Sequence, residues 1–180
     1  MVKTNQRWYR RHQLFNQSIR PELIPWLFDA SSLTARLIHL CGKDFSVHVI
    51  SQHWQHMEAE ESSAMLLQHV HSALVRQVLL CRGDTPLVYA RTVIPATTIQ
   101  GAQRRYANMG TRPLGAMLFA DRTMRRESVQ VALLPISHVA HQYAESDEDV
   151  WGRRSVFRVS DRPILVSEYF LPELLRQNDE

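Results

Sequence analysis

The sequence predicts an α+β fold, in which one antiparallel sheet of six strands carries helices packed on it. Segments in which apolar and polar residues alternate follow one another through short connections, as in an antiparallel sheet. The helical segments are grouped near the start and the middle of the chain, and regular strand–helix alternation is absent. The sequence also lacks the Gly-rich loop typical of dinucleotide- and phosphate-binding folds.

The composition bounds the domain count and the class of partner. With 180 residues, 44% of them hydrophobic, the chain is long enough for one domain with a sizeable core. We expect a basic arm over residues 1–20 and this domain over 21–180. No apolar run reaches the roughly 20 residues that span a membrane, and the N-terminus lacks the apolar stretch of a signal peptide. A cytoplasmic protein is therefore expected. The formal charge is +3, but the arginines are spread along the chain without a nucleic-acid-reading module, which argues against nucleic acid as a partner.

The first elements of the domain are predicted to be two short helices and a strand. Pro21 suits the first turn of a short helix. Ser31 or Ser32 can cap the next helix, which carries leucines at helical spacing and ends before Gly42. Alternating apolar residues then predict a strand over 43–55.

The middle of the chain is predicted to contain a hairpin, a helix and a long strand. Strands over 72–81 and 87–94 flank Arg82-Gly83-Asp84-Thr85, in which Gly and Asp suit a tight hairpin turn. The segments that follow are a helix over 99–109, a strand over 123–136 and an exposed polar loop over 137–149.

A second hairpin is predicted over residues 151–172, with its turn at Asp161-Arg162-Pro163. Strand side chains alternate between two faces, so Glu168 shares its face with the apolar residues Ile164, Val166 and Phe170. A carboxylate in an apolar row is costly to bury unless a specific group meets it. Glu168 is therefore a candidate site residue.

Two arginines also lie on apolar strand faces. Arg76 shares a face with Leu74, Val78 and Leu80, and Arg91 lies in a similar apolar row of the next strand. One interpretation is a buried structural Arg–Glu pair. The other is an enclosed site for a small polar anion, in which an arginine binds a carboxylate and Glu168 accepts a hydroxyl proton. Arg76 is the first candidate for that arginine, and Arg91 is a candidate for a second.

The cysteines and histidines do not indicate a metal centre or a thiol nucleophile. Cys41 and Cys81 form neither a metal-type pair nor a disulfide framework, so buried free thiols are expected. Two pairs of histidines are three residues apart, but they lie in polar loops or at a strand end without an HExxH context: His53 and His56, and His138 and His141. We therefore expect no bound metal.

Six short stretches, in order between about Pro21 and Pro172, carry a resemblance to a known family. They are Leu79-Leu80-Cys81, Ala90-Arg91-Thr92-Val93-Ile94-Pro95, Thr111-Arg112-Pro113-Leu114-Gly115, Leu118-Phe119, Trp151-Gly152-Arg153-Arg154-Ser155 and Glu168-Tyr169-Phe170-Leu171-Pro172. As an ordered set they resemble chorismate pyruvate-lyase, the family that makes 4-hydroxybenzoate for ubiquinone biosynthesis.

The resemblance implies a six-stranded antiparallel sheet whose helices enclose the ligand site. It also implies cleavage of chorismate to 4-hydroxybenzoate and pyruvate by a monomer, without a metal or an organic cofactor. In this resemblance Arg76 matches the family's carboxylate-binding arginine, and Glu168 matches the glutamate that meets the ring hydroxyl. Leu114 matches a position that contacts the ligand through its backbone amide. Leu33 matches a position near the ligand where methionine is often found.

A binding protein is the alternative function on this fold. The fold that the resemblance implies is also used by effector-binding domains of GntR-type regulators, and a lyase-like protein could bind chorismate or 4-hydroxybenzoate without turnover. Those regulators carry an N-terminal winged helix-turn-helix, whereas the 20 residues before Pro21 are fewer than the roughly 50 of a small domain. This and the presence of both Arg76 and Glu168 favour the enzyme.

Overall fold

An antiparallel sheet of eight strands forms the centre of the protein within residues 6–14, 18–68, 72–127 and 129–176, which the computed structural model describes. In chain order the strands are β1 (Tyr9–Arg10), β2 (Phe45–His56), β3 (Ser72–Arg82), β4 (Thr85–Pro95), β5 (Arg125–Arg126), β6 (Gln130–Leu133), β7 (Trp151–Val159) and β8 (Arg162–Phe170). Their order across the sheet is β1-β6-β7-β8-β4-β3-β2, and β5 pairs with β7 beside β6.

The helices are short and lie mostly outside the strand-rich C-terminal part. They are α1 (Ile24–Phe28), α2 (Leu33–Cys41), α3 (Ala59–Ala64), α4 (Leu114–Phe119) and α5 (Glu173–Arg176). The predicted ends of α2 are confirmed: the Ser32 hydroxyl accepts a hydrogen bond from the Ala35 N–H at 3.3 Å, and Gly42 follows the helix with a φ of 58°. Within the described residues, no helix has the length and apolar character that a membrane crossing requires.

The α+β class is confirmed, but the predicted number of strands is wrong. The strands β1 and β5 have two residues each, which is too short for an alternating pattern to reveal. The strand predicted over 123–136 is divided into β5 and β6. Both pair with β7, but Arg126 lies opposite Phe157 whereas Gln130 lies opposite Arg154, so the register shifts by one residue between them.

The helix predicted over 99–109 is instead a 3-10 helix limited to Gly101–Ala107. Gly101 has a φ of 55°, which a right-handed α-helix cannot include. The 3-10 helix therefore does not extend to the residues before Gly101. The division into an arm over 1–20 and a domain over 21–180 stays a prediction. Within the arm, Tyr9–Arg10 pairs with β6 as an edge strand.

The segment 137–149 was predicted to be an exposed loop, and this is wrong. It contains the 3-10 helix Val139–Tyr143, in which Ala140 is fully buried. The Tyr143 ring stacks on the ring of Tyr89 in β4 with 5.4 Å between centroids. The segment therefore packs on the sheet, because its few apolar and aromatic side chains cover one face of β4 and β8.

The sheet has an inner face, which α1, α2 and α4 cover, and an outer face on the other side. On the inner face, side chains of α1 and α2 pack against those of β3 and β4, and Leu118 of α4 packs against Val166 and Phe157. On the outer face, Met65 packs against Val75 and Val93. The two cysteines are free and buried, as predicted.

The C-terminal hairpin is confirmed, but its turn lies one residue earlier than predicted. Ser160 and Asp161 form the turn, with φ values of 49° and 63°, the left-handed conformation that a two-residue hairpin requires. This register places Arg153 directly opposite Glu168. The predicted turn would have placed Ser155 there instead.

Candidate active site

A cavity lies between the inner face of the sheet and the helices α2 and α4. All four residues to which the resemblance gives a ligand contact line it: Leu33, Arg76, Leu114 and Glu168. The cavity is also lined by polar residues that the sequence did not indicate, namely Thr34, Thr92, Arg112, Arg126 and Arg153.

Arg76 offers an unused hydrogen-bond donor inside this cavity. The residue is 3% exposed, and its Nη1 donates to Gln52 Oε1 at 2.7 Å. Gln52 is itself held in place, because its Nε2 donates to the carbonyl oxygen of Ala107 at 2.8 Å. The Arg76 Nη2 is buried and has no hydrogen-bond partner among the described residues, and burial lowers the pKa of this guanidinium. A buried cation with a free donor is a site for an anionic group.

Glu168 lies across the cavity from Arg76 and forms an ion pair with Arg153. The Arg153 Nε donates to a Glu168 carboxylate oxygen at 2.5 Å, and the Arg153 side chain is 1% exposed. The Arg153 Nη1 also donates to the carbonyl oxygens of Trp26 at 2.7 Å and Asp29 at 3.0 Å. Glu168 is thus held in one orientation, with one of its carboxylate oxygens paired to Arg153. A buried Arg–Glu pair does exist, but its arginine is Arg153.

The floor between Arg76 and Glu168 is made of small side chains. Glu168 pairs with Ala90 of β4, and Arg76 pairs with Thr92 of the same strand. The two charged residues are therefore separated by two strand spacings, or about 10 Å of sheet. Small side chains on the intervening strand leave room above them for a flat ring with polar groups at both ends.

Arg91, the candidate for a second arginine, is not in this cavity. It projects from the outer face, where its Nε donates to Glu61 of α3 at 2.8 Å. The hairpin between β3 and β4 contains a bulge: Leu80 pairs with Val88 and Cys81 with Pro86, so Leu87 has no partner. Without the bulge, Arg91 would lie opposite Arg76.

Sequence reasoning missed Arg153 and Gln52 because their positions depend on register. Arg153 is opposite Glu168 only when the turn is placed at Ser160 and Asp161, as described above. Gln52 is opposite Arg76 because Ile50 is bulged out of β2. The turn at Ser160 and Asp161 was a usable signal for Arg153, since a two-residue turn fixes the pairing of the whole hairpin.

Arg126 is a third residue that was missed, and it lies in a two-residue strand with no pattern of its own. Its Nε donates to Ser155 Oγ at 3.0 Å, and its Nη1 donates to the carbonyl oxygen of Asp29 at 3.1 Å. Burial, together with the neighbouring cation of Arg153, lowers the pKa of Arg126 to about 10. The side chain therefore remains charged at neutral pH.

The helices that cover the cavity meet at Gly115. A Cβ atom there would lie 2.6 Å from Oγ1 of the buried Thr34, so only glycine allows α4 to approach α2 this closely. We expect Gly115→Ala to lower the free energy of unfolding by about 1–3 kcal/mol, through overpacking. Urea denaturation measures this change, and an unchanged midpoint would contradict the close contact.

The expectation that no metal is bound stays a prediction. Over the described ranges, no three His, Cys, Asp or Glu side chains are grouped to hold a metal ion. Of the histidine pairs considered above, His53 hydrogen-bonds Gln55, and His138 accepts a hydrogen bond from the Ala140 N–H.

Comparison with known proteins identifies the family. The family model of chorismate lyase matches residues 2–179. A protein named probable chorismate pyruvate-lyase from Methylococcus capsulatus is 44% identical over 153 residues, which cover 83% of this chain and 94% of that protein. A protein of the same name from Pseudomonas aeruginosa strain UCBPP-PA14 is 35% identical over 98% of this chain and 97% of its own length.

Solved structures share the fold at low sequence identity. A GntR-family transcriptional regulator from Bacillus cereus matches with a TM-score of 0.56 and 11% identity, over 73% of this chain and 94% of that one. The effector domain of PhnF from Mycobacterium smegmatis matches with a TM-score of 0.51 and 12% identity, over 72% and 82%. These likenesses show the fold alone. The family match and the sequence identities show that the chain belongs to the chorismate lyase family.

Proposed function

We propose that this protein cleaves chorismate to 4-hydroxybenzoate and pyruvate, the first step of ubiquinone biosynthesis in its family. The observation that carries the proposal is the cavity with two polar ends. At one end Arg76 has a free buried donor, and at the other Glu168 is held by Arg153. This arrangement matches a six-membered ring with a carboxylate and a hydroxyl at opposite ends. We further propose that the protein acts as a cytoplasmic monomer.

The reaction needs no oxidant and no added water. The ether bond between the ring and the enolpyruvyl oxygen breaks, and that oxygen keeps the electron pair. The neighbouring ring carbon, which bears the hydroxyl, loses its hydrogen as a proton, and the electron pair of that bond completes the aromatic ring. The released enolate takes up a proton on its methylene carbon and becomes pyruvate. One dianion thus gives two monoanions.

The protein's part in this reaction is to position and to stabilise charge. Arg76 binds the ring carboxylate through its free Nη2. Glu168 accepts a hydrogen bond from the ring hydroxyl and assists loss of the proton from the same carbon. Arg153 keeps Glu168 in this orientation, so that little reorganisation is needed when the bond breaks. Leu33 and Leu114 close the apolar walls around the ring.

The first test is direct turnover. Purified protein is incubated with chorismate in the presence of EDTA, and both products are quantified. We expect equal amounts of 4-hydroxybenzoate and pyruvate, and the loss of both in Arg76→Ala. A wild-type protein that makes no product would contradict the proposal. If 4-hydroxybenzoate nevertheless raised its melting temperature, the function would be that of a binding protein on the same fold.

The covered cavity also predicts slow release of product. Because α2 and α4 lie over the ring site, they narrow the route by which 4-hydroxybenzoate leaves, and motions that open such a site often limit turnover. We expect a pre-steady-state burst of about one 4-hydroxybenzoate per protein, followed by a slower linear phase. Product formation that is linear from the first turnover would contradict this prediction.

A further inference from the structure

The cavity has more positive charge than the predicted site residues Arg76 and Glu168 account for. Among the described residues that line it, Glu168 is the one carboxylate, whereas three arginines that are not exposed contribute cations: Arg76, Arg126 and Arg153. A fourth, Arg112, is exposed and donates to backbone carbonyls of its own turn. The three inner arginines exceed the glutamate by two charges. Buried cations without counterions are costly, so a ligand with two negative charges is indicated.

At the Glu168 end of the cavity, Arg126 is the arginine that forms no ion pair with a carboxylate of the described residues. Its Nε and Nη1 donate to neutral oxygens, those of Ser155 and Asp29, and it forms no ion pair with any described residue. Its Nη2 makes no hydrogen bond within the described ranges either. Arg153, by contrast, is ion-paired to Glu168 and fully enclosed. Arg126 therefore keeps a charged donor for a ligand.

The position of Arg126 selects which part of the ligand it can reach. Arg126 and Arg153 both donate to the Asp29 carbonyl oxygen, so the two guanidinium groups lie side by side at the Glu168 end. Arg76, on β3, is three strands away from Arg153 and four from Arg126. In chorismate the enolpyruvyl ether is attached next to the hydroxyl-bearing carbon, whereas the ring carboxylate is at the far end of the ring. A ligand whose hydroxyl meets Glu168 thus directs its second carboxylate towards Arg126.

We propose that Arg126 binds the enolpyruvyl carboxylate of chorismate, the group that leaves as pyruvate, while Arg76 binds the ring carboxylate. This assignment rests on the proposed lyase function and deepens it, because it separates the part of the site that holds the ring from the part that holds the leaving group. It also gives Arg126 a role in the reaction. The ether oxygen that gains negative charge is one carbon away from the bound carboxylate, within the field of the same cation.

The test compares two ligands that differ in this carboxylate. Chorismate has it, and 4-hydroxybenzoate lacks it. For Arg126→Gln we expect kcat/KM for chorismate to fall about 10- to 100-fold, the effect of losing a charge-assisted hydrogen bond. The Kd for 4-hydroxybenzoate, measured by calorimetry, should change less than about threefold. In Arg76→Gln both quantities should worsen.

The matched control is the neighbouring arginine in the same short strand. The Arg125 side chain is 71% exposed and pairs with Asp161 on the surface. Arg125→Gln should leave both measurements at wild-type values. Arg112→Gln is the second comparator, because Arg112 is the exposed arginine that lines the cavity. A selective loss of chorismate turnover in Arg112→Gln rather than in Arg126→Gln would overturn the assignment.

Two other results would also overturn it. Equal loss of both ligands in Arg126→Gln would mean that Arg126 acts only by holding the Asp29 loop, and normal chorismate kinetics would mean that it binds neither. If Arg126→Gln does not fold, Arg126→Lys keeps the charge and should lower kcat/KM about three- to tenfold with 4-hydroxybenzoate binding intact. A wild-type protein that binds 4-hydroxybenzoate but does not turn over chorismate would instead refute the lyase function, which is a separate outcome.

Discussion

Replacing Arg76 with methionine should greatly lower kcat/KM for chorismate while leaving the protein at least as stable as the wild type. Arg76 is 3% exposed, and its Nη2 has no hydrogen-bond partner among the described residues. The cost of burying such a cation is several kcal/mol, whereas the bond that it makes to Gln52 contributes about 1 kcal/mol. Because the first term is larger, an apolar side chain of similar length should raise the free energy of unfolding by about 1–2 kcal/mol.

The loss of activity should be large in the same variant. A carboxylate that enters the cavity without Arg76 is buried and unpaired, which costs about 2–5 kcal/mol and lowers kcat/KM about 30- to 4000-fold. Product formation and urea denaturation, measured on the same preparation, check both halves of this prediction. A variant that loses stability along with activity would show that Arg76 supports the fold rather than the ligand.

Replacing Arg153 with methionine should have the opposite effect on stability. Arg153 is as deeply buried as Arg76, but its Nε donates to the Glu168 carboxylate and its Nη1 donates to the carbonyl oxygens of Trp26 and Asp29. Its removal leaves the Glu168 carboxylate, which is 16% exposed, without its counterion. Breaking such a buried pair costs about 3–5 kcal/mol. For a protein of this size, that corresponds to a fall in melting temperature of about 6–20 °C.

A double-mutant cycle separates the ion pair from the packing around it. Glu168→Met leaves Arg153 unpaired and should also destabilise the protein. The double variant buries neither charge, so it should be more stable than the sum of the two single changes predicts, by about 2–3 kcal/mol. Additive effects, within about 0.5 kcal/mol, would mean that the two side chains do not depend on each other.

Within a strand, the sequence was a reliable guide to the site. A charged residue in an apolar row identified Arg76 and Glu168 as candidates, because side chains alternate strictly between the two faces and a buried charge without a partner is costly. The same criterion also selected Arg91, which lies on the outer face and pairs with Glu61. The family resemblance added Leu33 and Leu114, and all four line one cavity. The apolar pattern also predicted the hairpins and the α2 helix that enclose it.

The sequence was a poor guide to which residues of neighbouring strands lie opposite each other. Which residues face each other depends on turns and bulges, and a difference of one residue moves a side chain to the other face. Leu87 and Ile50 are extra residues that no apolar pattern marks, yet they determine that Thr92 and Gln52, rather than Arg91 and Ser51, lie opposite Arg76. Arg126 is in a strand too short to have a pattern at all.

The unpaired Leu87 also bears on which contacts select the register of the site. Without a bulge, β3 and β4 could pair in a second register, with Arg91 opposite Arg76. The side chains of β4 do not distinguish the two registers, because both of its faces are rich in buried apolar residues. The native register is supported by the C-terminal part of the chain: Glu168 pairs with Ala90, and the Leu171 N–H donates to the Leu87 carbonyl oxygen at 3.0 Å. The pairing of β8 with β4 therefore favours the register in which Thr92, and not Arg91, lies opposite Arg76.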